Sequence, residues 1–344
     1  MAHAATPDER PARPTAAQAA THVSGAGSPG VDALPAVGAS TVVRAPGEYI
    51  DAGGNRLHVL ALGEGSPPVL LEAGVAASSV SWARVQPSLA RITRAIAYDR
   101  AGLAWSDAPV SPITFDRILR DLDAVLVARA AGERTILVGH SFGSLIVRGY
   151  AAAHPDRVAG LVLVDPPMEW ISPTAEHARK MRRARQASGI GAFLARIGVV
   201  RAALSLLTGG RPGVPRAFVK VFGPAASSTL ERLVGEVRKL PPELYPVVQE
   251  HWSQAKCFRA MAGYLGVLER ESATIAAAVP PAGIPIVVIS GNHQPQAELA
   301  AHRELAAASP RGRHVVATQS GHWILFDEPE LIVEAVRTLA RELA

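Results

Sequence analysis

Apolar positions along this chain switch between two periods. Short unbroken apolar runs recur at Val69-Leu70-Leu71-Glu72-Ala73-Gly74, Ala95-Ile96-Ala97-Tyr98-Asp99-Arg100, Thr135-Ile136-Leu137-Val138 and Gly160-Leu161-Val162-Leu163-Val164-Asp165. Helical patterns at residues 80–90, 114–131 and 142–154 separate them. Near-continuous apolar strands that alternate with helices predict a parallel sheet covered on both faces, an α/β fold. Upstream, Gly47-Glu48-Tyr49-Ile50-Asp51, a Gly53-Gly54-Asn55 turn and Leu57-His58-Val59-Leu60-Ala61-Leu62 predict an opening β-hairpin. The alternation stops at Asp165-Pro166-Pro167, and a mostly helical pattern follows, punctuated by Gly and Pro. Pro285-Ile286-Val287-Val288-Ile289-Ser290-Gly291 resumes the sheet, with a helix over 296–309, a last strand over 313–318 and a terminal helix over 329–343.

The pattern thus predicts a mostly parallel, doubly wound core of residues 45–167 and 281–344, with residues 168–280 inserted between two strands. Such an insertion lies over the strand ends, where open α/β sheets bind ligands, and is expected to be a cap. Residues 1–44 are rich in Ala, Pro, Thr, Gly and Ser and nearly free of large apolar side chains. They cannot bury enough surface to offset their ordering entropy, so a disordered extension is expected.

Composition narrows the class. The chain has 344 residues, 48% hydrophobic and 19% charged, which fits a globular protein with ample core. Its single cysteine, Cys257, excludes an internal disulfide framework and reads as a buried structural thiol. With no run of 18 apolar residues and no signal-peptide pattern, a cytoplasmic enzyme is expected. The net charge of +5 is concentrated: from His177 to Leu230 there are ten Arg or Lys residues and no Asp or Glu. Aromatics are few and no nucleic-acid motif accompanies the basic run, so nucleic-acid binding is a poor reading. No cofactor-binding or metal-ligating pattern is found.

The chemistry centres on Gly139-His140-Ser141-Phe142-Gly143, which ends a strand and opens a helix. Strand, G-x-S-x-G and helix together define a nucleophile elbow. Ser141 is the candidate nucleophile, and the Phe142 backbone N–H at the helix start is an oxyanion donor. A serine hydroxyl needs a base, and in elbow enzymes the histidine follows the final strand. His322, in Gln319-Ser320-Gly321-His322-Trp323, stands there. His140 adjoins Ser141 in the chain and is read as a packed elbow residue. The third member must be a carboxylate that orients the imidazole. The usual loop, Gly291-Asn292-His293-Gln294-Pro295, holds no carboxylate before Glu298, so Asp165 at the end of the strand before the insertion is preferred. The second oxyanion donor is expected from the loop after residues 69–74, as the N–H of Val75.

These residues resemble the α/β-hydrolase superfamily, in its branch of capped, esterase- or lipase-like serine hydrolases. Four blocks between about Gly47 and Ala344 carry the likeness: Leu71-Glu72-Ala73-Gly74 with Trp82, Tyr98-Asp99-Arg100-Ala101-Gly102-Leu103-Ala104-Trp105-Ser106-Asp107, Gly139 to Gly143, and Ser320-Gly321-His322. The resemblance implies Ser141 as nucleophile, His322 as base and Phe142 with Val75 as oxyanion donors. Asp99 and Arg100 would pin a loop by an ion pair. Two departures stand out: Ala73-Gly74 replaces the His-Gly of many relatives, and the usual acid position is empty. A serine nucleophile points away from epoxide hydrolases and haloalkane dehalogenases and toward an ester, thioester or lactone, a small-molecule substrate. Carbon–carbon bond hydrolysis by the same triad and a triad-retaining receptor are the alternatives. Five cations between Arg179 and Arg185, followed by apolar residues 191–204, would suit an anionic membrane surface. The preferred reading is a solvated cap helix whose apolar side packs inward, with Gly189, Gly191 and Gly198 weakening a long helix.

Overall fold

The computed structural model describes residues 1, 45–171, 174–208 and 236–343. The expected disordered extension, apart from Met1, and residues 209–235 of the expected cap lie outside them. Among the described residues eight strands form one sheet: β1 (Glu48–Asp51), β2 (Arg56–Leu62), β3 (Val69–Glu72), β4 (Ala95–Tyr98), β5 (Thr135–His140), β6 (Val158–Val164), β7 (Ile286–Gly291) and β8 (Arg313–Ala317). Their order is β1-β2-β4-β3-β5-β6-β7-β8. The β1–β2 hairpin pairs antiparallel, as does β2 with β4, and every later pairing is parallel. All residues of β3, β4, β5, β6 and β7 are buried, the physical counterpart of their continuous apolar runs.

Helices flank the sheet: α1 (Gln86–Leu89), α2 (Phe115–Arg129), α3 (Phe142–Ala153), α8 (Gln296–Ala307), α9 (Ile324–Asp327) and α10 (Pro329–Leu343). The helix expected over 80–90 is instead a 3-10 turn, Ser79–Trp82, followed by the single turn α1. Pro87 starts that turn anew, because a proline has no N–H to continue a helix already running. Between β6 and β7 the described residues form α4 (Ala175–Arg196), α5 (Val199–Thr208), α6 (Tyr245–Trp252) and α7 (Ala255–Ala277). Thr174 caps α4, its side chain accepting from the His177 N–H.

Against expectation, α4 runs unbroken for 22 residues through Gly189 and Gly191. Packing overrides propensity here. A β-carbon on Gly191 would lie 2.4 Å from the Phe258 ring, so the glycine lets α4 close onto α7. The helix stops where Gly198 takes φ +79°. Arg148 of α3 is buried and donates to the carbonyls of Ile275 and Ala276, at the C-terminal end of α7. A cation at a helix C-terminus complements the helix dipole and ties the insert to the helix behind the elbow.

Candidate active site

β5 delivers Ser141 at φ 53° and ψ −123°, in the left-handed half of backbone space where an L residue is strained. Its neighbours explain why that turn closes. A β-carbon on Gly139 would lie 2.5 Å from the Gly143 carbonyl oxygen, and one on Gly143 would lie 2.3 Å from that of Glu72. Both positions therefore demand glycine. Ser144 Oγ donates to the Gly139 carbonyl at 2.6 Å and Ser141 N to the Val164 carbonyl at 2.8 Å, which fix the elbow to β5 and β6.

Asp165 follows β6 directly, with φ 46°. Its Oδ2 accepts from His322 Nδ1 at 2.7 Å and from Gln294 Nε2, and its Oδ1 from the Gly291 N–H at 2.9 Å. The loop after β7 thus carries no acid, but the last residue of β7 and that loop supply one donor each to the acid of the neighbouring strand. Burial pushes the Asp165 carboxyl up, yet the His322 hydrogen bond and charge, with the Gly291 and Gln294 donors, outweigh it and hold it below the usual carboxylate range. Glu298 points elsewhere: its Oε1 accepts from the Met168 N–H at 2.6 Å.

His322 is brought against the elbow by His140, whose Nε2 donates to the His322 carbonyl at 2.8 Å and whose ring lies 4.8 Å from the His322 ring. Burial, then the nearby His322 charge, push His140 down to about 3, so it is neutral at ordinary pH. Among the described residues no hydrogen bond joins His322 to Ser141 Oγ; its polar contacts are those to Asp165 and His140.

The loop after β3 lies over the serine, since a β-carbon on Gly74 would be 3.6 Å from Ser141 Cβ. Arg100 holds this loop from behind. Its guanidinium donates to the carbonyls of Ala73, Gly74 and Val75 and to Glu72 Oε1, all with the charges buried. Carbonyls drawn to one side leave the N–H groups on the other. Among the described residues neither the Val75 nor the Phe142 N–H has an acceptor.

Asp99 and Arg100 do not pair with each other. Asp99 Oδ2 instead meets His58 Nδ1 at 2.9 Å, both fully buried, and its Oδ1 accepts from the Ser79 N–H at 2.7 Å. Burial alone would lower His58, but the Asp99 hydrogen bond and charge raise it above the ordinary histidine value. A further buried chain was missed in the sequence. His302 Nε2 donates to the Pro166 carbonyl at 2.7 Å, so its Nδ1 accepts from Ser290 Oγ at 2.6 Å, which in turn accepts from His314 Nε2 at 2.7 Å. It braces the backbone next to Asp165, at Pro166, and next to Gly291, at Ser290. A charged or imidazole side chain inside an apolar strand, as Glu72 in β3 and His58 in β2, was the available signal, because such a group requires a buried partner.

An apolar cleft adjoins the site, lined by Val80, Leu240, Val248, Trp252, Trp323 and Phe326. The Trp323 and Phe326 rings stack 5.3 Å apart. Among the described residues no group of three or more His, Cys, Asp or Glu side chains is placed to hold a metal ion, and no helix is long and apolar enough to cross a membrane.

Comparison with known proteins agrees with this architecture. A family model described as the alpha/beta hydrolase fold matches residues 67–190. A haloalkane dehalogenase of Sphingobium indicum is 32% identical over 130 residues, 36% of this chain and 44% of that protein. The 2-hydroxy-6-oxo-6-(2'-aminophenyl)hexa-2,4-dienoic acid hydrolase of Metapseudomonas resinovorans is 33% identical over 118 residues, 34% of this chain and 41% of that protein. The chain therefore spans less than half the length of these curated relatives. Among solved structures, a thermophilic esterase from Thermogutta terrifontis superposes with a TM-score of 0.60 at 22% identity, covering 86% of this chain and 97% of that one. At that identity the likeness speaks for the fold alone. With an eight-stranded sheet of this order and a serine on a positive-φ elbow, the described residues have the α/β-hydrolase fold, and the family match spans residues 67–190, from β3 into α4.

Proposed function

We propose that this protein is a serine hydrolase that cleaves a carboxylic ester, thioester or lactone through an acyl-enzyme. The reading rests above all on the 2.7 Å hydrogen bond between His322 Nδ1 and the buried Asp165, on a loop held against the Ser141 elbow. Asp165 keeps the proton on Nδ1, which leaves Nε2 as the base. As Ser141 Oγ turns to Nε2 and attacks the carbonyl carbon, its proton passes to His322. The oxygen that gains charge is received by the N–H groups of Phe142 and Val75. Collapse of the tetrahedral species expels the alcohol or thiol, which takes the proton from His322. Water then gives its proton to the same nitrogen and attacks the acyl-serine, the acid departs, and Ser141 Oγ takes the proton back from His322. The described helices between β6 and β7 act as a cap, and the apolar cleft at Trp323 takes an apolar arm of the substrate.

Chemistry favours acyl transfer over the haloalkane and epoxide reactions named for some relatives. A serine that displaced a halide or opened an epoxide would be left as an ether, which water does not cleave under these conditions. An acyl-serine is an ester and turns over. Carbon–carbon bond cleavage, named for the Metapseudomonas relative, is the second reading, because a ketone also offers a carbonyl to Ser141. A panel of chromogenic esters of increasing acyl length tests the proposal. It predicts a burst equal to the enzyme concentration, then steady turnover. A burst without turnover would point to a receptor, and neither burst nor turnover on any ester would sink the reading.

A further inference from the structure

The outward face of α4 carries a pattern that the proposed chemistry does not use. His177, Met181, Ser188 and Ala195 are buried and form one stripe at helical spacing. At about 100° per residue, Arg179, Arg183, Ile190 and Ile197 form the opposite stripe, with Arg182 and Phe193 beside it. Ile190, Phe193 and Ile197 are 62%, 62% and 56% exposed. A helix that merely covers a core turns its large apolar residues inward, as the sequence led one to expect here. These three point the other way.

The charges on the same face lack partners. Lys180 pairs with Glu169 and Arg185 with Glu269, but Arg179, Arg182 and Arg183 are exposed and, among the described residues, have no acidic partner. Glu176 is the one acid of α4, and none follows until after Leu230. Three apolar anchors set among three unpaired arginines, on one side of a helix about 33 Å long at about 1.5 Å per residue, match a broad surface that is anionic outside and apolar beneath.

We propose that α4 docks this protein on anionic phospholipid bilayers. Ile190, Phe193 and Ile197 enter the acyl boundary while the arginines meet the headgroups. On the proposed hydrolase reading, the docked enzyme draws its esters from the bilayer, but the binding itself does not rest on that reading.

Co-sedimentation of the full chain with vesicles of phosphatidylcholine alone, or with about a third phosphatidylserine, tests it. The proposal expects binding to the anionic vesicles, little to the neutral ones, and a progressive weakening as added salt screens the attraction. Replacing Arg179, Arg182 and Arg183 together by Gln should weaken binding about fivefold per arginine, on the order of a hundredfold in all. I190S/F193S/I197S should also lose binding, while melting and, on the hydrolase reading, turnover of a dissolved ester stay as in the parent. Should the triple variant misfold, F193S alone carries the test, with a smaller loss. Equal or negligible binding to both vesicle types overturns the proposal, as does an F193S variant that binds like the parent. A dimer seen by light scattering that F193S splits, without vesicle binding by the parent, would make the face a self-association surface instead.

Discussion

Replacing Asp165 by Asn isolates the part of the site most specific to this chain. The carboxylate receives donors on both oxygens: the Gly291 N–H on Oδ1, and His322 Nδ1 and Gln294 Nε2 on Oδ2. An asparagine offers one oxygen. If that oxygen stays with Gly291, its NH2 faces the Nδ1–H of His322, and the ring relieves the conflict by moving its proton to Nε2. The base is then gone. If the oxygen turns to His322, the NH2 meets the Gly291 N–H, and a buried donor pair is left unsatisfied at about 1–3 kcal/mol. The tautomer change is the larger effect on rate: loss of the orienting charge in a serine triad costs about 10⁴-fold, or about 5 kcal/mol of transition-state stabilisation. The assay is kcat/KM on a chromogenic ester, with melting as a control. Asp165→Asn should fall by three to four orders of magnitude, on the order of the triad precedent. Glu298→Gln, which keeps an acceptor for the Met168 N–H, should stay within about threefold because nothing of the proton path is touched. A loss under tenfold for Asp165→Asn, or a larger loss for Glu298→Gln, would refute the assignment.

Arg100→Lys keeps the charge beside Glu72 but cannot span the carbonyls of Ala73, Gly74 and Val75, so kcat should drop about 10- to 100-fold with KM little changed, read by steady-state kinetics. Asp99→Asn strands His58 in the core and should cost about 3–5 kcal/mol by denaturant titration. That cost should depend on pH. His58 is raised in the fold, so its contribution is complete below the unfolded histidine value near 6.5 and fades as pH rises through the higher folded value. Asp99 is lowered, so its contribution is complete above about pH 4 and is lost on further acidification through the lower folded value. The wild-type advantage is therefore greatest at about pH 4–6.5, and a gap that grew above pH 8 would contradict the pairing.

Much of the architecture is legible in the sequence because parallel strands buried on both faces must be mostly apolar, as β3, β5, β6 and β7 are. The elbow is legible because Gly139 and Gly143 answer a steric demand that the structure makes explicit. The closeness of Asp165 to His322 follows from an absence, a β7 loop without a carboxylate. Tertiary contacts hide the rest. The continuity of α4 depends on a Phe258 ring seated over Gly191, and propensity alone argues against it. The partners of Glu72, His58 and His302 lie 28, 41 and 12 residues away in the chain, at Arg100, Asp99 and Ser290. Burial flags such groups as needing a partner without naming one.

The central claim is that Ser141 becomes acylated, and peptide mass mapping after reaction with a fluorophosphonate ester tests it most directly. The phosphonyl group stops at the tetrahedral stage and marks the nucleophile. The account predicts one adduct per chain, on the peptide that carries Ser141 and on that residue, absent from Ser141→Ala and slowed by several orders of magnitude in His322→Ala. An adduct on another residue, or ester turnover that survives Ser141→Ala within a few-fold, would contradict it.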